Sequence, residues 1–407
     1  MSPEEVVLLC GAYIFLHKSI SSKKKRKRWW VRNYLLRRQD VLSDLCMFDG
    51  SFINFLRMSK SDFEYLLQNV GPFIEKQDTN LRSAVTAETR LAITLRYLAT
   101  GDSYSSLSYT FRVSKQLISR IIPEVCKNIK RVLKNYIQVP SSEAHWKEKA
   151  REWNELWNFP HCVGAIDGKH VVIEAPSNSN SDYYNYKDQL SIVLLAIVDA
   201  SYNVIYANCG AKGRASDSGI FQETSFYQRM VEHRLNFPNQ ETISPDGPDL
   251  PYVILGDSAF PLSENLMRPY PGIHNRGTMK RIFNYRLCRA RRVVENVFGI
   301  LCVVFRVFRK PIPLKPEKCE LIVMACLYMH NFLRRNKQSR ALYTPPMTFD
   351  FEDSDHNVIE GAWRREYTVE GTSILELERR PRNSARTATI IRDQFGEYFM
   401  SERGSLP

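Results

Sequence analysis

The chain has 407 residues, 43% hydrophobic and 12% aromatic, with a formal net charge of +13. That length and apolar content exclude a disordered chain and leave room for two or three domains around a well-buried core. Nine scattered cysteines without a Cys-x-x-Cys pair exclude a zinc finger or a disulfide framework and suit reduced thiols in the cytosol or nucleus.

Residues 1–49 read as a basic leader. Its apolar run at residues 6–16 falls short of the roughly 20 residues that a membrane span needs. Glu4 and Glu5 precede that run and the basic residues follow it, the reverse of a signal peptide, so it is expected to be a core-packing helix. The positive charge is concentrated here: the first 40 residues hold ten Lys or Arg against three acids. Lys23, Lys24, Lys25, Arg26, Lys27 and Arg28 form a block of like charge that cannot pack internally. It reads as a nuclear localisation signal or a phosphate-binding arm, with a solvated linker as the bland alternative.

Residues 50–150 carry helical patterning. The stretch TAETRLAITLRYLAT, residues 86–100, spaces its apolar residues as an amphipathic helix that Gly101 stops. A short helix, a turn at Val113 and Ser114, and a second helix capped by Ser114 follow. With Lys115, Gln116, Ser119 and Arg120 leading the second helix, the pair has the pattern of a DNA-binding helix-turn-helix, or equally of a structural helical hairpin. Pro140 and two serines then open another helix.

Residues 151–335 alternate strands with helices. VGAIDGKHVVI, residues 163–173, is expected to be a strand ending at Asp167, where Gly168 permits a turn. SIVLLAIVDA and NVIYANCG have hairpin spacing, and GRASDSGIF opens a helix that Ser216, Asp217 or Ser218 caps. VILGDSAFPL is a second apolar strand, ending at Asp257. RRVVENVFGILCVVF is a helix with Glu295 on or near its buried face, since Phe298, Cys302 and Phe305 follow at helical spacing.

Asp167, Asp257 and Glu295 each stand where an apolar element meets something polar. Converging carboxylates repel one another and resist desolvation, so a cluster of them needs compensating positive charge. Oxygen ligands without paired His or Cys point to Mg²⁺ or Mn²⁺. Two such ions about 4 Å apart suit in-line attack on a phosphodiester.

VGAIDGKHV, ASDSGIF, VILGDSAFPL, RRVVENVFG and MHNFLRR, in that order, resemble the motif series of PIF/Harbinger-superfamily DDE transposases and the nucleases derived from them. The resemblance covers residues 50–335, with a weaker echo in ATIIRDQFGEYF. It implies an α+β (α/β-like) architecture, with an RNase H-like catalytic domain behind the helical one. It places the first catalytic Asp at Asp167 on the central strand, the second at Asp257 after the fourth strand, and the Glu at Glu295 on a following helix, all three as metal ligands. The activity it implies is metal-dependent DNA cleavage and strand transfer; the alternative is a domesticated nuclear DNA-binding or regulatory protein with little nuclease activity. It also implies a Myb-like partner protein, beside a possible homo-oligomer and a nuclear, also cytoplasmic, location.

Neighbouring residues carry two readings each. Asp217 assists the site or caps its helix. Asp199 is structural in the hairpin turn, or catalytic. Lys169 and His170 meet phosphate, or alternate in and out along the strand. Arg291, four residues before Glu295, holds that glutamate or a phosphate oxygen. Between residues 268 and 292 lie eight Lys or Arg and no acid, a strip suited to double-stranded DNA that includes Lys280, Arg281, Arg286 and Arg289. Residues 336–407 read as a polar tail, with FDFEDSD as a flexible connector to a terminal helix near residues 390–399.

Overall fold

In the computed structural model, residues 2, 51–78, 80, 83–174, 180–214, 217–245, 247–353, 357–366, 372–376 and 386–405 are described. The expected leader helix at residues 6–16 and the basic block at residues 23–28 lie outside them.

Six helices come first: α1 (Ser51–Leu56), α2 (Lys60–Ile74), α3 (Ala87–Thr100), α4 (Tyr104–Phe111), α5 (Lys115–Val132) and α6 (Glu143–Trp157). Local chemistry sets their ends. Thr86 Oγ1 accepts from the Thr89 N–H at 3.2 Å at the start of α3, and Gly101 ends that helix in the left-handed region, with φ of 65°. Ser142 caps α6 by the same bond to His145. Ser114 sits at the expected cap of α5, but its side chain makes no capping bond. The buried face of α5, which includes Ile118, Ile121, Ile122, Val125 and Ile129, joins the same core as the strands that follow.

The central sheet contains β1 (Cys162–Val172), β2 (Ser191–Val198), β3 (Val204–Lys212), β4 (Val253–Leu255), β5 (Leu266–Met267) and β6 (Ile374–Glu376). Its order is β3-β2-β1-β4-β5, with β6 also on β1. β1 pairs antiparallel with β2 and β6 and parallel with β4, so the sheet is mixed. Every residue of β2 is buried, as a strand covered on both faces requires. Ile192, Leu194, Ala196 and Val198 face the large core shared with α2, α3, α5, α9 (Met279–Val304) and α10 (Pro316–Arg335). Leu195 and Ile197 face a second core with Trp146 of α6, Phe221 of α7 (Asp217–Glu223), Phe226 of α8 (Ser225–Val231) and Phe260.

β1 does not end at Asp167. It runs on through Gly168 to Val172, because β2 pairs with it from Ala165 to Val172 and β6 pairs with Lys169, His170 and Val171. Two backbone ladders hold extended a segment whose sequence suggested a turn.

The acidic stretch FDFEDSD also departs from a flexible connector. Asp350 is buried and takes a bidentate contact from Arg364 on α11 (Ala362–Glu366), while Phe351 and Glu352 pair with Val358 and Ile359. The terminal helix α12 (Arg386–Met400) brings Phe395 and Phe399 against Phe159 and Phe283.

MHNFLRR acts as a clamp between α10 and the β2–β3 hairpin. Asn331 Oδ1 accepts from the Val204 N–H at 2.9 Å, and its amide donates to the carbonyls of Val204 and Tyr136, both at 2.7 Å. Arg334 donates to the Ser201 carbonyl. His330 Nε2 donates to the Tyr202 carbonyl at 2.8 Å, so Nδ1 is left to accept from the Tyr343 hydroxyl, also at 2.8 Å. Burial, with Arg334 adding to it, pushes the His330 imidazole down to about 3. The unfolded chain takes up a proton at this residue near pH 6.5 and the folded chain does not, so stability falls as pH drops below about 6.5 toward 3. Urea unfolding at pH 7 and pH 5 should show a larger acid loss for the wild type than for His330→Gln; equal losses would remove His330 from the acid response.

Candidate active site

The site forms where β1 changes partner. On one edge, β4 pairs with Cys162, Gly164 and Ala165, and β6 with Lys169, His170 and Val171. Neither registers with residues 166–168 in between. Asp167 shares a sheet face with Ala165, Lys169 and Val171, toward α9, so a carboxylate and an ammonium interrupt an otherwise apolar row. β4 ends two residues before Asp257, and α9 carries Arg291 and Glu295 four residues apart, on neighbouring turns of one helical face.

One guanidinium bridges two of the acids. Arg291 Nη2 lies 3.6 Å from Asp167 Oδ1, and Arg291 Nη1 lies 3.6 Å from Glu295 Oε1. Burial works against the charge on Arg291, but Asp167, Glu295 and Asp257 together hold its pKa above the ordinary arginine value. Lys169 Nζ approaches Asp167 Oδ2 at 3.1 Å and Glu376 of β6 at 3.7 Å. Against the cost of its own burial, Asp167 and Glu376 raise the Lys169 pKa too. Burial pushes the Glu295 carboxyl above the usual carboxylate range; Arg291 and Lys169 oppose that push and Asp167 adds to it. Asp257 is held in its own turn, with Oδ1 accepting from the Ala259 N–H at 2.9 Å.

The cluster is charge-compensated but under-bonded. Asp167 Oδ2 has the Lys169 ammonium as its neighbouring cation, and Arg291 Nε is buried without a hydrogen-bond partner among the described residues.

Beside Glu295 opens a cavity of about 400 Å³, walled by Lys169, Tyr186, Lys187, Trp363, Leu375 and Glu376 among others. The C-terminal segment builds much of that wall. Asn296, next to Glu295 and fully buried, accepts from Trp363 Nε1 at 2.6 Å and from the Asp350 N–H at 3.3 Å. A side-chain methyl at Gly299 would overlap the Trp363 indole. Sequence reasoning missed Asn296, Gly299, Trp363, Glu376 and the strand β6. The signals were a buried amide and a glycine one helical turn around Glu295, and an apolar pair, Ile374 and Leu375, inside a polar tail.

The other expected residues fall into two groups. Lys115, Gln116, Arg120, Lys280 and Arg281 are exposed. Arg286 corrects the expectation of one continuous DNA-facing strip: it is 3% exposed, donating to the carbonyls of Asn158 and Gly404. Arg289 is likewise tied to Glu352 at 2.8 Å and to Asn158, and Arg292 to Glu352 at 2.5 Å. A helix with a 26-residue run turns its basic residues to every side, so alternate ones face the core. Asp199 accepts from Ser201 and Asn203 and pairs with Lys149, a turn role as expected. His170 points away from Asp167 and bonds Ser191, so it is not a phosphate contact of this cluster. Asp217 opens α7, and its side chain lies outside the described residues.

Residues 166–331 match the DDE superfamily endonuclease family. The match falls on the RNase H-like part of the fold, so that part of the chain is similar to DDE superfamily endonucleases. Among similar proteins, Antagonist of Like Heterochromatin Protein 1 of Arabidopsis thaliana is 24% identical over 339 residues, covering 78% of this chain and 84% of its own. HARBI1 of Homo sapiens is 24% identical over 292 residues, covering 71% of this chain and 78% of its own. These are relatives of the Harbinger transposase-derived type, as the motif series indicated. No solved structure matches the chain.

DDE endonucleases typically work with a divalent metal. The donor chemistry here fits a hard cation: carboxylate oxygens only, one of them buried with an ammonium 3.1 Å away. The geometry as folded does not yet gather them, because among the described residues no three acidic, His or Cys side chains stand close enough to hold one ion. Lys169 and Arg291 supply the positive charge instead.

Gly299→Ala should push Trp363 off α9 and cost about 1–3 kcal/mol of stability, as overpacking does. Chemical denaturation checks it; an unchanged midpoint would show that Trp363 has room to move.

Proposed function

We propose that the protein is a metal-dependent DNA endonuclease and strand transferase. Asp167, Asp257 and Glu295 are the catalytic acids and would hold Mg²⁺ or Mn²⁺, two ions in all, when Lys169 and Arg291 give way. The observation that supports this best is the pairing of Asp167 and Glu295 with one buried guanidinium, whose charge Asp257 also favours. Bound metal supplies the activated oxygen nucleophile and the charge that stabilises the leaving oxygen. The chain's own residues do the rest. Asp167 is fixed by the β2 ladder opposite Ala196, which limits its drift to that of the sheet. Arg291 orients Glu295 across one helical turn, and Lys169 stands within reach of a phosphate oxygen beside Asp167. The exposed Lys115, Gln116, Arg120, Lys280 and Arg281 would carry the sequence-independent hold on duplex DNA.

Nicking of supercoiled plasmid in Mg²⁺ or Mn²⁺ tests the assignment. Asp167→Asn, Asp257→Asn and Glu295→Gln should each lose cleavage by at least about a hundredfold while still binding DNA. Cleavage that persists in all three variants would show that the acids do not carry the chemistry.

A second reading has its own support. Lys169 and Arg291 already neutralise Asp167, and one relative is named for antagonism of a heterochromatin protein rather than for cleavage. On that reading the chain is a domesticated DNA-binding or regulatory protein, and the wild type itself would leave plasmid intact while binding it. Either role places the protein in the nucleus, also in the cytoplasm, with a Myb-like partner or a second copy as its assembly partner. Entry would rest on residues 23–28, and replacing all six with alanine should shift a tagged chain to the cytoplasm; an unchanged nuclear fraction would assign entry elsewhere.

A further inference from the structure

We propose that the loop at residues 183–187 grips an unpaired DNA strand end next to the active site, with Tyr186 as a base-stacking platform and Lys187 as its phosphate contact. The inference rests on the DNA-cleavage reading and names a part of the substrate that it leaves open.

The loop is built rather than slack. Asn185 is 5% exposed, and its Oδ1 accepts from the N–H groups of Lys187 at 2.9 Å and Gln189 at 3.0 Å. Its own N–H donates to the Gln189 carbonyl, and Tyr184 bridges to Leu190. An inward asparagine thus fixes a turn whose flanking tyrosines point out: Tyr184 and Tyr186 are each 45% exposed.

Tyr186 and Lys187 line the same cavity of about 400 Å³ as Glu295 and Lys169. That volume lies in the range of small-ligand sites and admits a nucleotide. Lys187 Nζ is 5.6 Å from the Tyr186 ring centre, so one cation and one π-face are presented together. The His170 ring stands 6.0 Å from Tyr186, which limits where that ring can turn. Aromatic faces beside cations are how proteins hold single strands without reading sequence, because every base has a face to stack and every nucleotide a phosphate. A duplex keeps its bases stacked on each other and offers Tyr186 nothing. The occupant is therefore a base freed from pairing, beside the bond that the acids address.

The test measures binding of the full chain to two fluorescein-labelled DNAs by anisotropy, a blunt duplex and the same duplex with a single-stranded tail. The wild type should prefer the tailed DNA. Tyr186→Ala should reduce affinity for the tailed DNA about tenfold and leave the blunt duplex unchanged, as loss of one stacking contact does. Tyr186→Trp should keep the preference, with its indole fluorescence quenched by tailed DNA alone. Lys187→Gln should weaken tailed binding and reduce its salt dependence. Equal wild-type affinity for the two DNAs, or equal losses on both in Tyr186→Ala, would overturn this inference and leave the DNA reading standing. No binding to either DNA would overturn both.

Discussion

Two carboxylates paired with one buried guanidinium, Asp167 and Glu295 with Arg291, impose the constraint that shapes this protein. Acids that converge out of water repel one another, and each loses hydration that nothing apolar replaces. Arg291 and Lys169 offset that cost, at 3.6 Å and 3.1 Å from Asp167. Arg291 does so at ion-pair distance, and its Nε has no hydrogen-bond partner among the described residues. The proposed function requires these two cations to give way when metal and DNA arrive.

The fold supplies the rigidity that the cluster lacks. Asp167 sits in the middle of β1, between two apolar cores, where its backbone cannot shift without breaking the β2 ladder. The far edge of β1 is shared between β4, which leads to Asp257, and β6, which returns from the C-terminal region. Open sheets place their sites where neighbouring strands part, and here the parting falls on residues 166–168. The C-terminal segment closes the arrangement from outside. Asn296 and Gly299 receive Trp363, Arg364 fastens Asp350, and Glu376 reaches Lys169.

Much of this was legible in the sequence, for reasons that differ by element. The boundaries of α3 followed from Thr86 and Gly101 because capping and a left-handed stop are local events. The hairpin of β2 and β3 followed from two apolar runs at turn spacing. Asp167, Asp257 and Glu295 stood out because a charged residue at the end of, or inside, an apolar run is a local anomaly. The partners of those residues were not local. Glycine after Asp167 suggested a turn, but β2 and β6, one of them about 200 residues away, hold Gly168 extended. The acidic tail looked solvated because its partners, Arg289, Arg292 and Arg364, lie on other elements. Arg289 and Arg292 were expected to face DNA, and only their depth on α9 separates them from Lys280 and Arg281. Asn331 in MHNFLRR belongs to a motif whose role is fastening α10 to β3, which nothing in its spacing discloses.

The central claim is that the acids exchange Lys169 and Arg291 for divalent cations. Mn²⁺ binding to the full chain, followed by calorimetry and by the loss of the free-ion paramagnetic resonance signal, tests it most directly. The account predicts saturable binding by the wild type that Asp167→Asn and Asp257→Asn each abolish, and that Lys169→Met tightens by removing the competing charge. Absence of Mn²⁺ binding in the wild type, or equal binding in the wild type and Asp167→Asn, would contradict it and leave the cluster as a structural ion-pair network.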